Sequence, residues 1–170
     1  MKGRVAILGL GSRGTGWAET CLAAGWDVHG FDPDDRAGRL ISGGASWRRE
    51  ATISGAVAKA DWVICCLPER LDLMRTVIQR AQGAAADGAV IAVVSEAHDL
   101  EAVQGCAIWP GHVFRLIEGE AGELALDVNG QNGQDARARA TEALAVLSAA
   151  HSVRPEVIGM SKTIAETKEA

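Results

Sequence analysis

The beginning of the chain constrains the fold most, because an apolar run leads there into a glycine-rich turn. Residues 5–8 read Val-Ala-Ile-Leu and are followed at once by the pattern Gly9-x-Gly11-x-x-Gly14. Helix-compatible sequence comes next, and a second apolar run ends at Asp32. This order predicts a β-strand, a tight turn, an α-helix and a second β-strand that closes on an acid.

Each glycine of this turn has its own physical role if the ligand is a dinucleotide. Gly9 permits the tight turn, Gly11 removes a Cβ that would hold the backbone away from a pyrophosphate, and Gly14 lets the helix pack close to the strand. The free N–H groups and the positive dipole end of the helix then face the phosphates. Asp32 is placed to accept hydrogen bonds from a ribose diol and to repel a 2′-phosphate, which favours NAD over NADP. The alternative is a glycine turn that only permits tight packing.

Size and charge exclude several classes of function. A chain of 170 residues, 48% of them hydrophobic, is long enough for one domain with a substantial core. The net charge of −5 and the lack of a basic cluster argue against nucleic-acid binding and against binding to anionic membranes. No apolar run has the length of a signal peptide core or a membrane span, so we expect a cytoplasmic protein. The four cysteines are expected to be reduced thiols that serve as small buried hydrophobes.

Strand-like and helical patterns alternate along the rest of the chain. The strands predicted after the second one cover residues 51–53, 61–67, 89–94, 105–109 and 123–128. The predicted helices cover residues 14–24, 36–41, 55–60, 71–82 and 135–150. This alternation predicts an α/β domain of the Rossmann type over residues 1–158, with a doubly wound, mostly parallel sheet and its ligand crevice at the carboxyl ends of the strands. Residues 159–170 are predicted to form a polar tail.

Three segments carry a resemblance to one enzyme family. They read GLGSRGTGWAETCLAAGWDVHGFDP, ADWVICCLPERLDLMRTVIQ and WPGH. With them the chain resembles the NAD-binding domain of the 3-hydroxyacyl-CoA dehydrogenases, and most closely the carnitine-dehydrogenase-like members, over residues 5–150. The stretch Pro-Glu-Arg-Leu-Asp-Leu at residues 68–73 is more specific to that family than the glycine motif is.

The resemblance implies an enzyme that uses NAD to oxidise a 3-hydroxy group to a ketone by hydride transfer. In the family, a histidine takes the hydroxyl proton and a glutamate about a dozen residues later positions that histidine. By resemblance, His112 is this histidine and Glu123 is the nearest match to the glutamate, while Ser95 would bind the substrate oxygen. Arg13 either contacts a phosphate or points to solvent. The cofactor-binding residues that the resemblance implies are Gly9, Gly11, Ser12, Arg13, Gly14, Asp32, Leu67, Pro68 and Glu69.

His112 also has a case that rests on its position. It follows the predicted strand at residues 105–109 through a Pro-Gly turn, which would place it at the carboxyl edge of the sheet. A neutral imidazole there can accept an alcohol proton near neutral pH. The alternative is a surface-loop histidine without a partner. His29 is expected to be structural, and His98 and His151 are expected to be solvated.

The sequence departs from the family on the substrate side. Ser95 alone stands where the family has several hydroxyl groups, and Val113-Phe114-Arg115 replaces a Phe-Asn-Pro stretch. We expect residues 1–170 to hold no counterpart of the all-helical domain that closes the family's substrate cleft and builds its dimer. Two interpretations stay open. One is a dehydrogenase reduced to its nucleotide domain, which acts on a small 3-hydroxy acid or acyl substrate as a homo-oligomer or with a partner. The other is a non-catalytic NAD(H)-binding or sensing module, or a partner subunit of a larger dehydrogenase.

Overall fold

The structure, a computed structural model, describes residues 3–150 and the backbone of residues 156–158. These residues form one eight-stranded sheet with helices on both faces. The predicted tail at residues 159–170 and His151 lie outside the described residues.

The sheet is doubly wound. Its strands in chain order are β1 (Arg4–Leu8), β2 (Asp27–Phe31), β3 (Trp47–Arg49), β4 (Trp62–Cys65), β5 (Val90–Val94), β6 (Val113–Glu118), β7 (Leu124–Asp127) and β8 (Glu156–Ile158). They lie side by side in the order β3-β2-β1-β4-β5-β6-β7-β8, and every neighbouring pair is parallel except β6 with β7. The chain reverses its direction of winding between β1 and β4, and at such a switch point a crevice opens beyond the carboxyl ends of the strands.

Helices cover both faces of the sheet. They are α1 (Ser12–Ala23), α2 (Ile53–Val57), α3 (Leu71–Ala84), α4 (Leu100–Gln104) and α5 (Gln134–Ala150). One apolar core lies between the sheet and α1 with α5, and the other lies between the sheet and α2, α3 and α4. Alternate residues of each central strand enter opposite cores, which explains why these strands are continuously apolar in sequence. No helix within the described ranges is both long enough and apolar enough to cross a membrane.

The strand predicted at residues 105–109 is wrong. These residues form turns after α4, and the side chains of Ile108 and Trp109 are 49% and 60% exposed. The strand at this position in the sheet is β6, which begins after a short 3₁₀ turn at Pro110–His112. Its first five residues are buried, including Arg115. The local sequence does not predict this strand. A charged residue in the middle of an apolar run indicates a loop when the residue that pairs with its charge is not known.

The region between β2 and β4 also differs from the prediction. Residues 36–41 form turns and not a helix, and the strand expected at residues 51–53 is found earlier, as β3. Thr52 instead caps α2, since its Oγ1 accepts the N–H of Gly55 at 2.9 Å. The β-branched residues at this point favour a strand locally, and the cap outweighs that preference.

The structure differs from the prediction at two further points, the position of one strand in the sheet and the burial of two cysteines. The predicted edge strand at residues 123–128 forms β7, but it lies between β6 and β8 and all four of its residues are buried. Of the four cysteines, Cys21 and Cys65 are buried as expected, Cys66 is half-buried and Cys106 is exposed.

Candidate cofactor and substrate site

The glycine turn joins β1 to α1 at the carboxyl edge of the sheet. Gly9 has a φ of +95°, and its N–H donates to the carbonyl of Phe31 at 2.8 Å. A Cβ at Gly9 would overlap the carbonyl of Cys66, and a Cβ at Gly14 would overlap the carbonyl of Gly9. A Cβ at Gly11, in contrast, would meet nothing within 4 Å. Two glycines are therefore required by the packing of the turn itself, while Gly11 borders open space.

The amino end of α1 faces this open space with unused donors. The first hydrogen bond of the helix runs from the Thr15 N–H to the Gly11 carbonyl at 2.9 Å, so the N–H groups of residues 12–14 have no acceptor within the helix. No side chain caps this end, and no acid lies in the first turn. Arg13 is exposed and adds a positive charge there. Free N–H groups at the positive end of a helix dipole suit a phosphate, so this end of the helix fits a dinucleotide.

Asp32 is fixed at the end of β2, beside the turn. Its Oδ2 accepts the N–H of Leu10 and its Oδ1 accepts the N–H of Asp34, both at 2.8 Å. Arg49 of β3 holds the same loop, since its Nη2 donates to the carbonyls of Asp32 at 2.9 Å and of Asp34 at 2.8 Å. Each carboxylate oxygen has more than one acceptor site, so Asp32 retains capacity for the hydroxyls of a ribose.

The next loop along the edge, after β4, is tied to the end of β5. The Glu69 carboxylate accepts the Ser95 hydroxyl at 2.8 Å and the Glu96 N–H at 3.0 Å. Ser95 is only 1% exposed, and its Oγ also accepts the His98 N–H at 3.2 Å. The Ser95 hydroxyl thus has both a donor and an acceptor partner in the protein. A substrate oxygen would have to compete with Glu69 for it.

A buried ion pair joins β6 to β7 near the carboxyl end of β5. The Nη2 and Nε of Arg115 donate to Asp127 Oδ2 at 2.7 and 3.1 Å, and the side chains are 5% and 9% exposed. Arg115 pairs in register with Val93, close to the carboxyl end of β5. Its Nη1 donates to the His98 carbonyl at 2.9 Å. Burial raises the pKa of the Asp127 carboxyl, and the charge of Arg115 counteracts that rise.

His98 completes this part of the site, in which sequence analysis predicts roles for Glu69 and Ser95 but not for the other residues. Its Nε2 lies 3.4 Å from the Glu69 carbonyl oxygen, and the residue is partly exposed. A continuous set of contacts therefore links four segments of the chain along the carboxyl edge. Its members, which we call the edge network, are Glu69, Ser95, His98, Arg115 and Asp127. The signal available in the sequence was the two opposite charges inside the apolar runs of β6 and β7.

His112 lies at the other edge of the sheet. It ends the 3₁₀ turn before β6, and the next residue, Val113, pairs with Ile91 near the amino end of β5. The prediction that His112 lies at the carboxyl edge is therefore wrong. The cause is the misplaced strand, because His112 precedes a strand instead of following one.

Glu123 does lie toward the carboxyl edge, but it is far from His112. It precedes the cross-strand pair of Glu118 with Leu124, so the length of β6 separates it from His112, about 20 Å at 3.3 Å per residue. Its carboxylate accepts the N–H of Ala121 at 3.0 Å within the β6–β7 connection. The structure does not bring the predicted histidine and glutamate together.

The predicted cofactor residues all lie along the carboxyl edges of β1, β2 and β4. They are Gly9, Gly11, Ser12, Arg13, Gly14, Asp32, Leu67, Pro68 and Glu69. Residues 4–107, which contain all of them, match the family model described as the NAD binding domain of 6-phosphogluconate dehydrogenase.

Similar proteins include two bacterial enzymes. Over 135 residues the chain is 36% identical to an L-carnitine dehydrogenase from Streptomyces griseus subsp. griseus. The matched region covers 68% of this chain and 39% of that protein. Over 150 residues the chain is 33% identical to an L-carnitine dehydrogenase from Streptomyces coelicolor. Here the matched region covers 71% of this chain and 47% of that protein. The chain thus spans less than half the length of these relatives.

Solved structures share the fold. A (S)-3-hydroxybutyryl-CoA dehydrogenase from Ralstonia eutropha matches 95% of this chain and 65% of its own, with a TM-score of 0.79 and 18% identity. The 3-hydroxyisobutyrate dehydrogenase of Mycobacterium tuberculosis matches 93% of this chain and 54% of its own, with a TM-score of 0.68 and 25% identity. These matches confirm the predicted doubly wound fold.

Proposed function

Because the chain belongs to the family of the NAD-binding domain of 6-phosphogluconate dehydrogenase, we propose that it holds NAD at its carboxyl edge for the oxidation of a 3-hydroxy group to a ketone. NAD, predicted from the glycine turn and Asp32, is the cofactor that this family binds. The observation that supports the site most directly is the open space at Gly11 beside the uncapped start of α1.

Different residues along the carboxyl edge bind the two halves of the cofactor. Gly11, Ser12 and Arg13 meet the pyrophosphate with N–H groups and positive charge. Asp32 accepts hydrogen bonds from the hydroxyl groups of the adenosine ribose, and its negative charge disfavours a 2′-phosphate. The loop of Leu67, Pro68 and Glu69 borders the nicotinamide half, because a doubly wound sheet binds the second half of a dinucleotide beyond the switch point. When bound, NAD supplies the acceptor for a hydride.

The substrate in this proposal is a small 3-hydroxy acid or its acyl derivative. Support comes from the similarity to L-carnitine dehydrogenases over more than two thirds of the chain. We also propose that the domain works in the cytoplasm, either as a homo-oligomer or with a partner subunit. Exposed apolar side chains at Leu40, Ile108 and Trp109 offer contact surface for such association.

A second candidate function is a non-catalytic NAD(H)-binding module. The observation that favours it is the separation of His112 from Glu123 along the length of β6. The two candidates share the cofactor site and differ only in whether substrate turnover follows.

Titration calorimetry with NADH and an assay of NAD reduction separate these candidates. NADH should bind the wild type, and Gly11→Ala should weaken that binding at least about tenfold, since the new methyl group occupies the pyrophosphate space. The matched control is Gly16→Ala in the same helix, where a Cβ also meets nothing within 4 Å and the residue lies one turn further from the site.

L-Carnitine, 3-hydroxybutyrate and 3-hydroxybutyryl-CoA are the substrates for the assay. Turnover of one of them supports the oxidation. Binding of NADH without turnover of any supports the module, and a wild type that gives no heat with NADH or NAD contradicts both.

A further inference from the structure

We propose that His98 is the group that accepts the hydroxyl proton in this oxidation, an inference that rests on the proposed function. Of the histidines in residues 3–150, it alone lies at the carboxyl edge. His112 is at the amino edge, and His29 lies within β2 with its ring nitrogens 2.7 Å from Glu50 and 3.5 Å from Asp27. His98 is thus the one described imidazole that can reach a substrate in the crevice.

The backbone of His98 is held from both sides. Its N–H donates to Ser95 Oγ at 3.2 Å, and its carbonyl accepts from Arg115 Nη1 at 2.9 Å. Both partners are buried and are themselves anchored, Ser95 by Glu69 and Arg115 by Asp127. A group that must transfer a proton needs such a rigid support, because a small misplacement weakens the transfer.

The ring lies beside the loop that borders the nicotinamide half of the site. Its Nε2 is 3.4 Å from the Glu69 carbonyl oxygen, which only accepts hydrogen bonds, so this contact favours the tautomer with hydrogen on Nε2. Nδ1 then carries a lone pair and can act as a base. Partial exposure of the residue lets the proton pass on to water.

NAD, when bound, supplies the acceptor for the electrons of this oxidation. The substrate O–H bond breaks and its proton goes to Nδ1 of His98, while the carbon–oxygen double bond forms. The C–H bond of the same carbon breaks, and its electron pair leaves with the hydrogen as a hydride for the oxidised nicotinamide. The imidazolium of His98 then releases its proton to solvent, which restores the base.

The surroundings of the ring suit this step. The contacts of His98 lead to three charged residues: Glu69, whose carbonyl oxygen lies 3.4 Å from Nε2, Arg115, which donates to the His98 carbonyl, and Asp127, which pairs with Arg115. The Glu69 carbonyl oxygen accepts a hydrogen bond from the ring and so stabilises the positive charge that the imidazole gains as it accepts the proton. Arg115, whose charge is matched by Asp127, acts on His98 through its backbone as a positioning residue.

Nuclear magnetic resonance of ¹⁵N-labelled histidine rings tests the position of His98 without any turnover. The ring signals of His98 are identified by their loss in His98→Gln, and those of His112 by their loss in His112→Gln. Addition of NADH should shift the His98 signals and leave the His112 signals in place. An unshifted His98 in a protein that binds NADH would overturn the proposal.

The second arm measures turnover as a function of pH. His98→Gln should lower kcat at least about 100-fold, with the Kd for NADH within about twofold of the wild type, since the change leaves the glycine turn intact. In the wild type kcat should fall at low pH as the base becomes protonated, and this fall should be absent from the residual activity of His98→Gln. Equal kcat in the wild type and His98→Gln would overturn the role of His98 alone. A wild type that binds NADH and turns over none of the three substrates would overturn the oxidation itself, and the role of His98 with it.

Discussion

The two halves of the carboxyl edge are built by different means. In the glycine half, around β1, α1 and β2, the polar groups at the edge are main-chain N–H groups and one carboxylate, all within the first 32 residues. In the half around β4, β5, β6 and β7, the edge network consists of residues from four separate segments. The glycine half leaves the first N–H groups of α1 without an acceptor in the helix, whereas the edge network satisfies most of its own polar groups. The first half therefore offers donors to a ligand, and we expect the second to contribute to the stability of the fold.

Removal of one partner of the buried ion pair should have the largest effect. Asp127→Ala leaves the Arg115 guanidinium buried without its partner, and we expect the free energy of unfolding to fall by about 3–5 kcal/mol. Urea denaturation measures the loss. The double variant Arg115→Met with Asp127→Leu should recover most of it, because two apolar side chains remove the unpaired charge. If Asp127→Ala is as stable as the wild type, the edge network does not stabilise this half.

Next in size is the effect of a methyl group inside the glycine turn. Gly14→Ala forces a Cβ into the Gly9 carbonyl, so we expect a loss of about 1–3 kcal/mol in the free energy of unfolding. Gly11→Ala should leave that free energy nearly unchanged, although it weakens NADH binding. Equal stability losses in the two variants would show that Gly11 does not face open space.

The charge of Asp32 should affect binding more than stability. Asp32→Asn keeps one oxygen that can accept the Leu10 N–H and loses the oxygen that accepts the Asp34 N–H, so the turn should persist with one hydrogen bond fewer. We expect the affinity for NADH to fall about tenfold, equivalent to about 1.4 kcal/mol, and the preference for NADH over NADPH to shrink. Calorimetry with both nucleotides measures this. An unchanged preference would mean that another group excludes the 2′-phosphate.

The smallest expected effect concerns how fast each of the four cysteine thiols reacts in the native protein. Burial raises the pKa of Cys21 and of Cys65 to about 12, and it also raises the pKa of Cys66, which lies beneath the glycine turn. Cys106, after α4, is exposed. A disulfide reagent should therefore label one thiol rapidly in the native protein, and Cys106→Ser should abolish that phase. Rapid labelling of a second thiol would show that the turn opens in solution.

Sequence reasoning succeeded where contacts are local. The turn at Gly9 needs a positive φ, Gly14 needs close packing, and Asp32 closes the next strand, so each requirement is visible within one strand–helix–strand unit. It failed at β6 because the burial of Arg115 depends on Asp127, which lies on the next strand. With that strand unrecognised, the sequence places His112 at the wrong edge of the sheet.

The sequence by itself therefore determined the doubly wound fold, the glycine turn and the choice of NAD, since backbone conformation and apolar periodicity are written in neighbouring residues. Only the tertiary structure decided which side chains meet beyond the switch point. The pairing of Arg115 with Asp127 arises from the register of β6 with β7. The approach of His98 to Glu69 arises because the loops that hold them follow two paired strands, β5 and β4, which are distant in the chain.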